Sequence, residues 1–170
     1  MIQTMKTVKR VNFEDCDPFA HLNNANYLNY FLTAREEQLR TNGILDIFKH
    51  AEESGNSWAV VSHAINYLKP ARLGEELEIW SRMLTTESFI NLVEFIMLNH
   101  RTRQIKSVMH TRFAYFSIQK AKPVTPGKEL KTLFRKIALL PDRKISTFSI
   151  DNRMEKIKAE VAESGNGPVL

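Results

Sequence analysis

The segment Asp15-Cys16-Asp17-Pro18-Phe19-Ala20-His21-Leu22-Asn23-Asn24-Ala25-Asn26-Tyr27 decides the reading of this chain. It places two carboxylates, a histidine and three asparagines in a short loop that runs directly into an amphipathic stretch, Leu28 to Arg40. Asn23 or Asn24 suits the N-cap, because a short amide side chain accepts one of the unpaired N–H groups of the first turn. A carboxylate just ahead of a helix start faces those free N–H groups and the positive end of the helix dipole. Donors so placed can polarise a carbonyl while the acid attacks it or activates a water.

Outward from this loop, the pattern predicts a strand over Lys6 to Phe13, then a helix from about Asn24 to Thr41 that stops at Asn42-Gly43. Leu28, Phe31, Leu32, Arg35 and Leu39 recur at helical spacing. Ile44 to Glu53 reads as a short second helical turn or an inserted loop, and the period then changes. Trp58 to Leu68 is rich in β-formers; Leu77, Ile79, Ser81 and Met83 alternate with Glu76, Glu78, Trp80 and Arg82 as in a half-buried strand. Phe89 to Asn99 and Ile105 to Ser117 read as two more strands joined by a turn at Asn99-His100-Arg101-Thr102. A strand, a long helix and consecutive hairpin-linked strands imply an α+β protein with a curved, mostly antiparallel sheet.

Composition narrows the class. The chain has 170 residues, 43% hydrophobic and 25% charged, enough for one core without staples. Cys16 is the lone cysteine and forms no internal disulfide, which fits a reducing compartment. Met1 to Lys6 lacks the apolar region of a signal peptide, and no run approaches the roughly twenty apolar residues of a bilayer span. These features read as cytoplasmic. The net charge of +5 carries no dense basic block, so nucleic acid is not indicated. No cluster has metal-ligand spacing, and no cofactor is expected. Lys120 to Gly127 reads as a linker, dividing residues 1–119 from a helical extension, residues 120–170. In that extension Leu130, Leu133, Phe134 and Ile137, then Met154, Ile157 and Val161, fall at helical spacing. Ser164 to Leu170 is expected to be disordered.

The Asp15–Tyr27 block, with Tyr30-Phe31 and Ala34-Arg35-Glu36 after it, resembles the 4-hydroxybenzoyl-CoA thioesterase branch of the hotdog-fold superfamily. A second block, Ile65-Asn66-Tyr67-Leu68-Lys69-Pro70-Ala71-Arg72-Leu73-Gly74-Glu75, resembles that branch's strand and turn ending in Pro-Ala-x-x-Gly-Asp/Glu. The resemblance covers about Thr4 to Gln119. It implies a hotdog fold and hydrolysis of an acyl-CoA or acyl-carrier-protein thioester, at a site on the interface of a homodimer or homotetramer. By resemblance, Asp17 is the nucleophile or the base for water, and a backbone N–H near Asn24 holds the thioester oxygen.

Other residues keep two readings. Asp15 either orders the loop or raises the pKa of Asp17, as paired carboxylates do. His21 either handles substrate or a proton, or pins the loop. Asn56 and Ser57 are candidates to line the acyl pocket from a partner subunit. Arg101, Arg103 and Lys106 either clamp CoA phosphates or form a solvated basic turn. Val61, Ile65, Phe95 and Met97 are candidate apolar pocket positions. The acids flanking Cys16 disfavour a thiolate there, and Tyr27 reads as a packing residue. The rival functions are a hotdog hydratase or dehydratase and a non-catalytic acyl-CoA-binding protein.

Overall fold

The computed structural model describes residues 4–164; of the segment expected to be disordered, Ser164 instead closes the last helix, and residues 165–170 lie outside the described ones. Strand β1 is Met5–Arg10, helix α1 Asn24–Thr41 and helix α2 Ile47–Ser54. Four long strands follow: β2, Asn56–Tyr67; β3, Glu76–Glu87; β4, Ile90–Asn99; and β5, Ile105–Ser117. A two-residue strand β6, Lys122–Pro123, precedes helices α3, Lys128–Ile137, and α4, Ile150–Ser164. The sheet is antiparallel throughout, in the order β1-β3-β4-β5-β2, with β6 paired to β5. Among the described residues no helix is long and apolar enough to cross a membrane.

Local signals explain the elements. The Asn23 side chain accepts from the Ala25 amide and caps α1, and Gly43, at φ 62°, turns the chain after it. The first strand ends at Arg10, earlier than the alternation suggests, because residues 13–15 coil into a single 3-10 turn. Asn99 organises the β4–β5 turn, its Oδ1 accepting from the amides of Arg101 and Thr102.

Helix α1 lies across one face of the sheet. Tyr27, Phe31 and Ala34 are buried against Ile79, Val93, Phe95, Met97 and Met109. Its inward stripe also takes in Arg35 and Gln38, both buried, so it is more polar than the leucine spacing suggests. Gln38 donates to the Ile79 carbonyl, which satisfies an amide that would otherwise be costly to bury.

The opposite face is covered too. Helix α4 buries Ile150, Ile157 and Val161 on Trp80, Ile96, Leu98 and Val108, while α3 packs on the same face as α1, setting Phe134 and Ile137 beside Met83 and Trp58. Full burial of such side chains is worth about 2 kcal/mol each as an upper bound. Strand β3 is therefore buried on both faces between Leu77 and Thr85, not half-buried as its alternation suggests. Its charged residues enter the interior because they are paired.

The centre of that pairing is Glu94 on β4, with no exposed surface. Arg153 of α4 donates to both its oxygens at 2.9 Å, Arg82 of β3 donates at 2.7 Å, and His110 Nε2 sits 3.0 Å away. Arg82 also reaches Glu160 of α4. Burial alone would raise the Glu94 pKa, but the hydrogen bonds from Arg153 and His110 and the nearby arginine charges outweigh it and hold it far below the ordinary 4.5.

Removing one partner of a buried pair strands the others. Glu94→Gln is expected to cost about 3–5 kcal/mol in urea unfolding at pH 7. A depressed carboxylate contributes stability that is complete above its unfolded pKa and lost as pH falls through the folded one. The wild type should therefore lose stability progressively below about pH 5, and the Glu94→Gln difference should shrink over the same range. A variant as stable as wild type at pH 7 would contradict this role of Glu94 in holding α4.

Candidate active site

The Asp15–Asn23 loop is fastened at both ends by backbone groups. The Asn23 amide and the Asn26 side chain both donate to the Asp15 carbonyl, at 2.9 and 3.0 Å. The Leu22 amide donates to the Ala71 carbonyl, and the Leu73 amide to that of Ala20, so the loop is sewn to the segment after β2. The two resembling blocks are thus one structural unit.

Within the loop the Asp17 Oδ1 accepts from the amides of Phe19 and His21, at 2.9 and 3.1 Å. The Asp17 amide donates to the His21 carbonyl at 2.8 Å, and the Ala20 amide to the Asp17 carbonyl at 3.0 Å. This is an Asx turn, and it holds one carboxylate oxygen while no hydrogen bond among the described residues engages Oδ2. Ala20 takes a left-handed conformation at φ 58°, a region that disfavours residues with a Cβ. The tightness of the turn is what imposes that backbone.

Asn24 is the first residue of α1, so its N–H has no acceptor within the helix. Tyr67 OH donates to the Asn24 carbonyl at 3.1 Å and ties the end of β2 to the helix start. Tyr67 meets Tyr27 edge-to-face at 5.1 Å, and the Tyr27 hydroxyl accepts from the Ala71 amide. Burial pushes the Tyr27 pKa up, so it stays a neutral packing group.

Asp17, His21, Asn24, Tyr27, Tyr67 and Pro70 line one open groove of about 220 Å³ with Leu22, Leu68 and Lys69. The fold thereby brings together the three loop candidates, Asp17, His21 and Asn24.

Asp15 faces elsewhere: its Oδ2 accepts from Tyr30 OH at 2.7 Å. Burial, then that carboxylate, pushes the Tyr30 pKa up to about 12. Cys16 points its thiol at the Asn12 carbonyl, and desolvation, then Asp17, Asp15 and Glu14, raises its pKa. A raised thiol pKa works against nucleophilic use.

The remaining candidates lie outside the groove of the same protomer. Asn56 and Ser57 stand at the opposite end of β2 from Tyr67, roughly 35 Å away along an extended strand. Lys106 is buried, its Nζ 2.7 Å from Glu75 and 3.1 Å from the Pro70 carbonyl, where it braces the groove wall from behind. Arg103 bonds Glu78 and Ser164, and Arg101 is exposed beside Glu76. Phe95 and Met97 are core beneath α1, Ile65 packs against that core, and Val61 is exposed on β2. Tyr67, Lys69 and Pro70 are groove residues that a residue-by-residue reading passes over. Their only signal is membership of the second block.

A protein-family model described as "Thioesterase-like superfamily" matches residues 11–142. The acyl-CoA thioesterase YbgC of Haemophilus influenzae is 29% identical over 127 residues, covering 74% of this chain and 90% of the relative. Among solved structures, the probable thioesterase YbaW of Escherichia coli superposes with a TM-score of 0.69 at 23% identity, covering 79% of this chain and 98% of that one. The 1,4-dihydroxy-2-naphthoyl-CoA thioesterase of Synechocystis gives 0.69 at 14% identity, over 77% and 95%. With the matched region spanning most of the sequence and both loop blocks inside it, the chain belongs to the thioesterase-like superfamily and has its hotdog fold.

Proposed function

We propose that this protein hydrolyses acyl-CoA thioesters, with Asp17 as the attacking group or as base for water and the Asn24 amide as the oxyanion donor. The observation that carries this reading is the pairing of a half-engaged carboxylate with a free helix-start N–H on one groove. Thioester hydrolysis needs an oxygen nucleophile and a donor for the developing oxyanion. A thiolate leaves readily, so no strong acid is required of the site. The Asx turn keeps Asp17 Oδ1 occupied and directs its reactivity to Oδ2. His21, fixed by its own backbone to Asp17, flanks the substrate.

The names of the relatives favour CoA as the carrier, and the same geometry accepts an acyl-carrier-protein thioester. Arg101, with 85% of its side chain exposed, is the cation of the β4–β5 turn best placed to meet CoA phosphates. The expected setting is the cytoplasm.

The site belongs to a homodimer in this reading. Strand β2 is the sheet edge, and it exposes Ala59 to Ala64, with Val60 at 43% and Val61 at 57%. An exposed apolar edge strand is a template for pairing. Antiparallel pairing of two β2 copies about a point between Val61 and Ser62 sets the partner's Asn56 opposite Tyr67. That brings Asn56 and Ser57 to the groove they do not reach within one chain.

Asp17→Asn should lower kcat/KM for a medium-chain acyl-CoA by about 10²–10⁴-fold with unchanged thermal stability; retained activity would remove Asp17 from the mechanism. Proline is well tolerated at the first helical position, and Asn23 already has the extended backbone that a following proline demands. Asn24→Pro therefore deletes the N–H and spares the helix, and kcat should fall about 10²–10³-fold. Equal turnover by a folded Asn24→Pro protein would place the oxyanion donor elsewhere. Val61→Lys should shift the protein from dimer to monomer in size-exclusion chromatography and reduce turnover with it.

A further inference from the structure

A second cavity lies at the other end of α1, between its C-terminal half, α2, α3 and the sheet. Its volume is about 60 Å³, and its walls include Leu39, Trp58, Met83, Phe134 and Ile137. Two lining residues carry strongly polar side chains, Arg35 and Asn91. Both are buried, with 6% and 4% of their surface exposed.

Arg35 is the anomaly. Its guanidinium makes one hydrogen bond, to Ser81 Oγ at 3.1 Å, and no carboxylate among the described residues acts on it. Every other buried arginine or lysine among the described residues has an acidic partner: Arg82 and Arg153 share Glu94, and Lys106 holds Glu75. Burial lowers the Arg35 pKa to about 10, so the group remains charged at neutral pH. An isolated buried charge is costly, and proteins normally pair it or neutralise it. Here neither has happened, and the remaining donors of the guanidinium border a cavity with apolar walls.

We infer that this cavity is a binding site for a short-chain free carboxylate, whose acid group pairs with Arg35 and whose chain fills the apolar space. A planar guanidinium meets a carboxylate in two parallel hydrogen bonds, which suits a ligand with one flat anionic head. The Asn91 side chain supplies the second polar contact at the cavity wall. At about 10–15 Å³ per water-sized site, the volume accepts roughly four to six non-hydrogen atoms, the size of butyrate. The cavity shares no lining residue with the Asp17 groove. Arg35 stands about 16 Å along α1 from Asn24, at 1.5 Å per residue. A ligand of this size therefore cannot also engage the Asn24 amide of its own chain, and the site stands apart from thioester hydrolysis.

Trp58 lines the cavity and Trp80 lies on the opposite face of the sheet, so Trp80→Phe leaves Trp58 as the single reporter. In that background, titration with sodium butyrate should change Trp58 emission saturably. Butanol, with the same chain and no charge, should bind at least tenfold more weakly. Arg35→Met, which keeps much of the volume and removes the charge, should abolish the butyrate response. Should that variant fail to fold, Leu133→Phe narrows the cavity from α3 with Arg35 left in place, and it should also lose the response. Equal titration by butanol, an unchanged response in a folded Arg35→Met or Leu133→Phe protein, or no saturable response in the parent overturns the inference. The readout uses no thioester, so its outcome is independent of whether Asp17 is catalytic.

Discussion

The contact of Phe31 with Phe95, ring centres 5.4 Å apart, fixes α1 against the sheet, and the rest of the molecule is arranged around that placement. Once the helix lies there, its first turn meets the segment after β2, through Tyr27 with Ala71 and Asn24 with Tyr67. Its last turns close over the cavity beneath Trp58. The same helix thus carries two polar features at opposite ends: a free N–H at the start and a buried guanidinium near the finish. Packing of the hydrophobic stripe between them positions both, because a helix seated at several points along one face cannot slide by less than a turn without losing all of them.

The second constraint is that a sheet needs both faces covered before charge can be buried in it. In this protein α1, with α3 on the same side, covers one face and α4 the other. Glu94 is tolerated only because α4 brings Arg153 to it while the neighbouring strands bring Arg82 and His110. Such a network adds little net stability over an apolar core but strongly penalises the wrong register of α4, since misplacement leaves charges unpaired. Arg35, on the other face, has no such partner. The contrast between these two arginine environments distinguishes a structural charge from one that a ligand could complete.

The groove joins a common loop motif to the start of a helix. An aspartate before a helix usually serves only its turn. Asp17 does serve its turn, through Oδ1, and it lines the same groove as Asn24 at the helix start. Asp15, two residues away and chemically identical, is absorbed by Tyr30. The two acids differ in what each carboxylate meets: the Tyr30 hydroxyl for Asp15, the amides of Phe19 and His21 for Asp17.

Much of this was legible in the sequence. The periodicities of Asn24–Thr41 and Ile105–Ser117 predicted those elements to the residue or nearly so, since both are long and cleanly patterned. The Asp15–Tyr27 and Ile65–Glu75 blocks marked the two segments that build the groove. What the sequence could not state is which residues meet across space. The alternation of β3 left its charged face apparently solvated, because no local rule foresees a helix from the far C-terminus packing on it. Arg103 and Lys106 looked like free cations, yet Glu78 and Glu75 claim them. Local patterns depend on neighbours within a few residues, and so the sequence by itself determined the elements, the caps and the loop that lines the groove. Pairing of charges and closure of cavities depend on residues tens of positions apart, such as Glu94 with Arg153 or Asn24 with Tyr67, and these only the tertiary structure decided.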